Sequence, residues 1–474
     1  MTSVLTAAQP AAPQLGRRRR WTVLAVCCLS MFLVGLDTTV VNVGLPEIGR
    51  SLGVDTRGLE WTVDAYTIVL AALLITSGAL ADRFGRRRVF QCGLALFGTA
   101  SLLCALAPGA GTLVAARALQ GVGASMLSPV ALAIVVNAMP DPRERAQAIG
   151  VWASVFGLSM AVGPVVGGAL LGGFGWRALF WANVPVILLA LLLTALLVPE
   201  SRGARDRRLD GIGQLLLIAV IGGWVALAIE GPRIGWTSPT ALVGALLAAT
   251  ATVAFGLVEV RREEPLIDPR LFRHVRFGGA VLAAVALFTA LGLTLLLSTL
   301  YLQHTRGLSP LAAGAATLPM ALGATVCAPW SGRLVGRRGP GLPLTLAGAF
   351  LAAGGLLLLA LDRTTPLALL LVAYLLIGTG FGFANAPITT TAVNSLPADR
   401  AGVAGALTST ARQFGSALGI ATAGGLVAHT TPATLATAAR PGWLLITACG
   451  ALLIALARWT TAPERASGGD ARRG

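Results

Sequence analysis

Three charged side chains lie inside long apolar runs of this 474-residue chain. Asp37 interrupts MFLVGLDTTVVNVGLP (31–46), Asp64 lies in a run at 59–81, and Arg117 in one at 112–137. In a bilayer each would be costly, about 2.5–3.5 kcal/mol for a centrally placed charge on insertion scales. An acid close to a base can nonetheless ionise, or exchange a proton when the geometry changes. The chemistry open to Asp37, Arg117 and Asp64 is therefore proton binding and release, with Asp37 also able to act as counter-ion to a cationic cargo. A plainer role stays open beside it: a structural hydrogen bond from Asp37 to Thr or Asn on a neighbouring helix.

Other chemistries are excluded or unsupported. Lysine is absent and all 36 basic residues are arginine. A phosphate-binding loop of the Walker type and a Schiff base both need a lysine, so ATP hydrolysis by that motif and imine catalysis are ruled out. The six cysteines (Cys27, Cys28, Cys92, Cys104, Cys327, Cys449) lie in apolar runs without a CxxC pair, and read as small buried side chains. The histidines His274, His304 and His429 show no metal-ligand spacing. No metal, no cofactor and no catalytic residue is expected. The net charge of +16 has no continuous basic face on which to bind nucleic acid.

Composition assigns the elements that must position the three charges. The chain is 55% hydrophobic and 12% charged, with mean hydropathy +0.78. Soluble domains carry about twice that charge, so the class is an all-α polytopic membrane protein. Runs long enough to span recur at 22–45, 59–81, 89–108, 112–137, 146–172, 178–198, 212–230, 239–258, 277–303, 311–335, 343–361, 366–392, 402–428 and 441–459, fourteen in all. The first follows RRRR (17–20) and lacks a small-x-small cleavage site, so it reads as a spanning helix rather than a signal peptide.

Arginine placement tests that count. With the N-terminus inside, 27 arginines fall in inner segments, 7 in outer loops, and Arg117 and Arg412 within spans. The bias puts both termini in the cytoplasm. SGALADRFGRRR (77–88) closes the second span and SGRLVGRRGP (331–340) the tenth. Aligning Gly78 with Gly332 also superposes Leu80 on Leu334, Arg83 on Arg337 and Gly85 on Gly339, with Asp82 on Gly336. Two six-span halves result, 21–198 and 277–460. Around them lie a cytoplasmic tail 1–20, a linker 199–276 with two extra spans, and a tail 461–474. Parallel repeats of this kind are a transporter architecture. On that topology Asp37 lies about 12 Å below the outer surface and Asp64 about 7 Å, with Arg117 similarly deep.

Several stretches now resemble one family. LDTTVVNVGLP (36–46), GALADRFGRRR (78–88), RALQGVGAS (117–125) and GPVVGG (163–168) are similar to motifs of the major facilitator superfamily, more narrowly its 14-span drug:proton antiporter branch. WRALFWANVP (176–185) and EGPRIGW (230–236) agree with that branch. The resemblance implies a bundle of 14 transmembrane helices and proton-coupled export of hydrophobic or cationic drugs, or of an antibiotic, by alternating access. It implies a bacterial cytoplasmic membrane, the proton gradient as energy source, and a monomer as working unit.

The motifs also have physical readings. Gly78 lets helix two approach a neighbour, Gly85 permits a tight turn, and Asp82 can cap or pair with an arginine across the half-to-half interface. Arg83, Arg86 and Arg87 belong to the same loop and serve the positive-inside bias as well. In the fifth span Gly150, Ser154, Gly157, Ala161, Pro164 and Gly168 form one narrow stripe of small residues with a proline bend. Gly163 and Gly167 complete the motif, and in the resembled family this face seals the two halves. Trp61, Tyr66, Asn385, Thr389, Asn394, Arg412 and Gln413 are the cavity-facing candidates for cargo, few fixed polar groups among aromatics suiting flat apolar compounds. An uptake symporter on the same fold, a sensor and a membrane enzyme are the competing readings. The fifth-span motif and the extra spans count against the symporter. The lack of a soluble domain counts against the sensor, and the lack of a paired-carboxylate or His/Asp cluster against the enzyme.

Overall fold

Turn formers and caps cut the apolar runs into helices. The computed structural model describes residues 16–202, 210–262, 265–362, 364–396, 401–428, 430–431 and 434–461; the surroundings of some residues within those ranges, among them Gly150, Ser154, Gly157 and Ala161, lie outside the description. The first half runs α1 (Arg17–Leu52), α2 (Thr56–Phe84), α3 (Arg86–Ala105), α4 (Ala110–Ser125), α5 (Ser128–Ala138), α6 (Pro142–Phe174), α7 (Arg177–Trp181) and α8 (Asn183–Leu197). Two central helices follow, α9 (Gly211–Ile234) and α10 (Pro239–Arg261). Then come α11 (Val275–Leu300), α12 (Pro310–Ala316), α13 (Leu318–Arg338), α14 (Gly341–Leu358), α15 (Leu367–Asn394), α16 (Ala401–Val427), α17 (Leu435–Ala438) and α18 (Arg440–Thr461). Gly53, at φ 63°, stops α1, and the Asp55 side chain caps α2 by accepting from the Gly58 N–H. Ser238 before Pro239 and Ser309 before Pro310 start α10 and α12 the same way.

The described residues form an all-helical bundle with no strand. Twelve helical segments in them are long and apolar enough to cross a membrane, counting α4 with α5, α7 with α8, α12 with α13 and α17 with α18 as continuous paths. Two further helices, α6 of 33 residues and α16 of 27, occupy the fifth and thirteenth runs. Large apolar side chains stand exposed on α8 (Leu188, Leu192, Leu196) and along α10 (Leu242, Leu246, Val253, Leu257). A lipid environment suits such faces; water does not.

Packing repeats between the halves. In the first, α1 lies on α6, α2 on α4, and α3 on α4 and α8. In the second, α11 lies on α16, α13 on α15, and α14 on α15 and α18. The same pairing of first with fifth, second with fourth and third with sixth gives structural content to the internal sequence repeat.

The halves meet closely at the end of the bundle that holds the α1–α2 turn. There the Gln303 amide donates to the Val43 carbonyl at 3.0 Å, and a side chain at Gly168 or Gly314 would run into the opposing backbone of Leu311 or Pro164. At the opposite end, Gly78 on α2 and Gly332 on α13 face open space. Gly78 was expected to permit a close approach; here no described neighbour lies against it.

Candidate functional site

The helices bring Asp37 and Arg117 together. Arg117, on α4, donates from Nη1 to Asp37 Oδ2 at 2.6 Å, and the two are 0% and 2% exposed. The other Asp37 oxygen accepts from Gln120 Nε2 at 2.9 Å and from Asn183 Nδ2 at 3.0 Å. All of these contacts are donors, the set an ionised carboxylate satisfies. Arg117 also donates from Nε to the Thr62 carbonyl at 3.0 Å and from Nη1 to Gln120 Oε1 at 2.6 Å. Its guanidinium lies 4.2 Å from the Tyr66 ring centroid and 5.9 Å from that of Phe180. Gln120 in turn donates to Ser101 Oγ at 2.9 Å.

Every member of this network belongs to the first half. Gln120 and Asn183 were missed as site residues, though both lie in quoted motifs. The signal was spacing: Gln120 is three residues from Arg117 on the same face of α4. Tyr66, expected to face cargo, is instead buried beneath the Arg117 guanidinium.

Asp64 does not join the pair, although depth alone placed it beside them. Thr62 and Tyr66 on α2 face Arg117, and Asp64 lies about 200° around the helix from Thr62. It is 0% exposed, and neither carboxyl oxygen has a partner among the described residues. Trp61, another cargo candidate, turns to the extra helix. Its indole N–H donates to Glu230 on α9 at 3.4 Å.

The loop motif folds on itself. Gly85 takes φ 110°, a region closed to most residues, and makes the turn from α2 into α3. Asp82 accepts from Arg86 Nη2 at 3.0 Å and from its Nε at 3.2 Å. Its arginine partner among the described residues is thus Arg86, in the same half. Glu200 occupies the start of α3, accepting from the Arg87 N–H at 3.0 Å. Arg87 Nη2 donates to the Ala195 carbonyl at 2.6 Å, and the Arg83 guanidinium lies 5.4 Å from the Phe84 ring centroid.

The small-residue face of α6 has two partners. Gly163 and Gly167 lie against Thr39 and Val40 of α1, in the same half. Pro164 and Gly168 lie against Gly314 and Leu311 of α12, in the other. The surroundings of Gly150, Ser154, Gly157 and Ala161 fall outside the described residues. Among the described residues of the stripe, Pro164 and Gly168 make the contact between halves.

Of the remaining cargo candidates, Asn385 and Thr389 on α15 and Arg412 on α16 form a group. Arg412 Nη2 donates to Thr389 Oγ1 at 2.6 Å, its guanidinium lies 5.7 Å from the Phe288 ring centroid, and no carboxylate pairs with it among the described residues. Asn385 is spent on its own helix, donating to the Phe381 carbonyl at 3.3 Å. Gln413 is half-buried and Asn394 exposed. A cavity of about 20 Å³, the size of one water, lies between the halves, lined by Thr39, Asn42, Pro164, Thr294, Gln303 and Tyr374 among others. None of the seven cargo candidates lines it. Cys92, expected to be buried, is exposed on α3.

A family model described as Major Facilitator Superfamily matches residues 27–420. The Multidrug resistance protein Stp of Mycobacterium tuberculosis is 39% identical over 88% of this chain and 78% of its own length. The Puromycin resistance protein pur8 of Streptomyces alboniger is 40% identical over 95% of this chain and 94% of its own. Among solved structures, a peptide transporter POT in complex with sulfate superposes with TM-score 0.69 at 18% identity, over 95% of this chain and 97% of that one, a likeness of fold.

Proposed function

Because the chain belongs to the major facilitator superfamily, we propose that it is a proton-coupled exporter of hydrophobic or cationic drugs, or of an antibiotic, in the cytoplasmic membrane of a bacterium. Relatives at 34–40% identity carry the names of multidrug efflux pumps and antibiotic resistance proteins, which supports drug export. The carrying observation is the Asp37–Arg117 pair, an acid and a base buried together with three amide or carbonyl partners inside one half. An ion pair in that setting holds its charge only while the geometry is kept. Protonation of Asp37 would release Arg117 and loosen α1 from α4, linking a proton to a helix rearrangement.

The full topology belongs to the same proposal. Fourteen spans with α6 and α16 as the fifth and thirteenth, both termini cytoplasmic, and α9 and α10 outside two six-helix halves account for the arginine bias. On that orientation the close contact of Gly168 and Pro164 with α12 seals the outer end, and the group of Arg412, Thr389 and Phe288 borders the inward-open side where cargo enters. The protein works as a monomer. Efflux of a drug panel from an exporter-deficient host, with and without a protonophore, tests the reading. Accumulation that falls on expression and recovers with protonophore is expected; export indifferent to protonophore overturns proton coupling, and no export of any compound overturns the exporter.

A further inference from the structure

The motif EGPRIGW ends α9 in a cluster of charges on the outer end of α2. Glu230 pairs with Arg57 at 2.5 Å and accepts from Trp61. Arg233 pairs with Asp55 at 3.1 Å and with Glu60 at 3.5 Å. Pro232 packs on Gly425 of α16, and the adjacent Gly424 lies against the Glu60 carboxyl. Glu60 is 1% exposed, although it lies in only the second turn of α2. It is therefore enclosed by three elements: its own half, the facing helix of the other half, and the extra helix.

Glu60 and Asp64 are one helical turn apart and share a face. Among the described residues only one cation, Arg233, is paired with either of them. Glu60 Oε1 takes that ion pair, while Glu60 Oε2 and both oxygens of Asp64 have no partner among the described residues. A wholly buried carboxyl with no donor beside it is far cheaper neutral than ionised. The geometry thus suits one ionised acid at Glu60 and one protonated acid at Asp64. Among the described residues the charged groups around Glu60 are Asp55, which caps α2, Arg57 and Asp64 on α2, and Glu230 and Arg233 on α9. From α16 it meets Gly424, with Arg412 about 18 Å further along that helix.

We propose that Glu60 is the proton-entry residue of this transporter, passing protons inward to Asp64, and that Arg233 of the extra helix drives the transfer. This rests on the antiport reading above. When α2 and α16 part at the outer end, Gly424 leaves the Glu60 carboxyl, which takes a proton from outside. When they close, Arg233 pairs with Glu60 and favours its carboxylate, so the proton moves from Glu60–COOH to the Asp64 carboxylate one turn deeper. Charge is conserved, with one acid ionised and one protonated before and after. The partners of Asp37 all lie in its own half, whereas Glu60 also meets the other half, at Gly424.

The test is drug-driven proton flux through purified protein in liposomes, with drug binding measured alongside. Glu60→Gln and Arg233→Gln should each lower the flux at least tenfold while leaving drug binding within about threefold of wild type, and the double variant should be no slower than either. Arg233→Lys should keep most of the flux. Glu230→Gln, which frees α9 from Arg57 but leaves the Glu60–Arg233 pair, should do the same. Wild-type flux in Glu60→Gln overturns the proposal. So does loss of flux in Arg233→Gln and Glu230→Gln alike with Glu60→Gln unaffected, which would make the cluster an anchor for α9. Absence of proton flux in the wild type overturns the antiport reading itself, and this proposal with it.

Discussion

At the scale of single residues, the Asp37 environment is more complete than two opposed charges. The carboxylate receives a guanidinium and two amides, and the guanidinium is further spent on a carbonyl and an aromatic face. Removing one partner of a buried pair strands the other, at a cost of about 3–5 kcal/mol. Arg117→Ala should therefore lower the melting temperature in detergent as well as end proton-driven export. Asp37→Asn keeps the size but cannot titrate, and should end export while retaining cargo exchange, which needs no net proton movement. The double variant should lose less stability than the sum of the two, since the residues act as a unit; strict additivity would show that they are independent. Proton release by Asp37→Asn at the wild-type level would leave Asp37 a structural residue.

At the scale of elements, the fifth-span stripe divides its labour. Gly163 and Gly167 fit α6 onto α1, whereas Gly168, with Gly314 opposite, sets the contact between halves. A side chain at either of the latter would collide with backbone, which cannot rotate away. Gly168→Leu and Gly314→Leu should each cut export at least tenfold at wild-type membrane levels, by propping that end open. Gly172, on the same helix, faces open space, and Gly172→Leu should transport nearly normally. Equal transport by all three variants would show that the seal lies elsewhere.

At the scale of the whole molecule, α9 and α10 are unequal companions. α9 packs on α2 and α16, one helix from each half, while α10 packs chiefly on α9. With fourteen crossings, the loop after α9 lies outside and the segment before α11 inside. In a background without native cysteines, Trp236→Cys should then react with a membrane-impermeant maleimide added to intact cells. Arg270→Cys should react only after the membrane is opened. Both positions are exposed, so silence at either reports sidedness rather than burial. The same sidedness for both would overturn the topology.

Much of this protein was decided by local pattern. Apolar runs of membrane length, caps such as Asp55 and Ser309, and the arginine-rich turn at Gly85 act over a few residues, so the chain by itself determined the helices and the class of transporter. It also marked Asp37 and Arg117, because a charge in an apolar run is costly unless used. Which charges meet was another matter. Helical phase on α2 turns Thr62 and Tyr66 toward Arg117 and Asp64 away from it, and no motif records the face of a neighbouring helix. Asp82 pairing with Arg86, Trp61 turning to Glu230, and Glu60 closing under Gly424 depend on how far the halves are tilted and where α9 docks. Those contacts join residues up to 364 positions apart in the chain. Only the tertiary structure brings them within reach, because burial and pairing are set by what packs alongside, not by what precedes or follows in sequence.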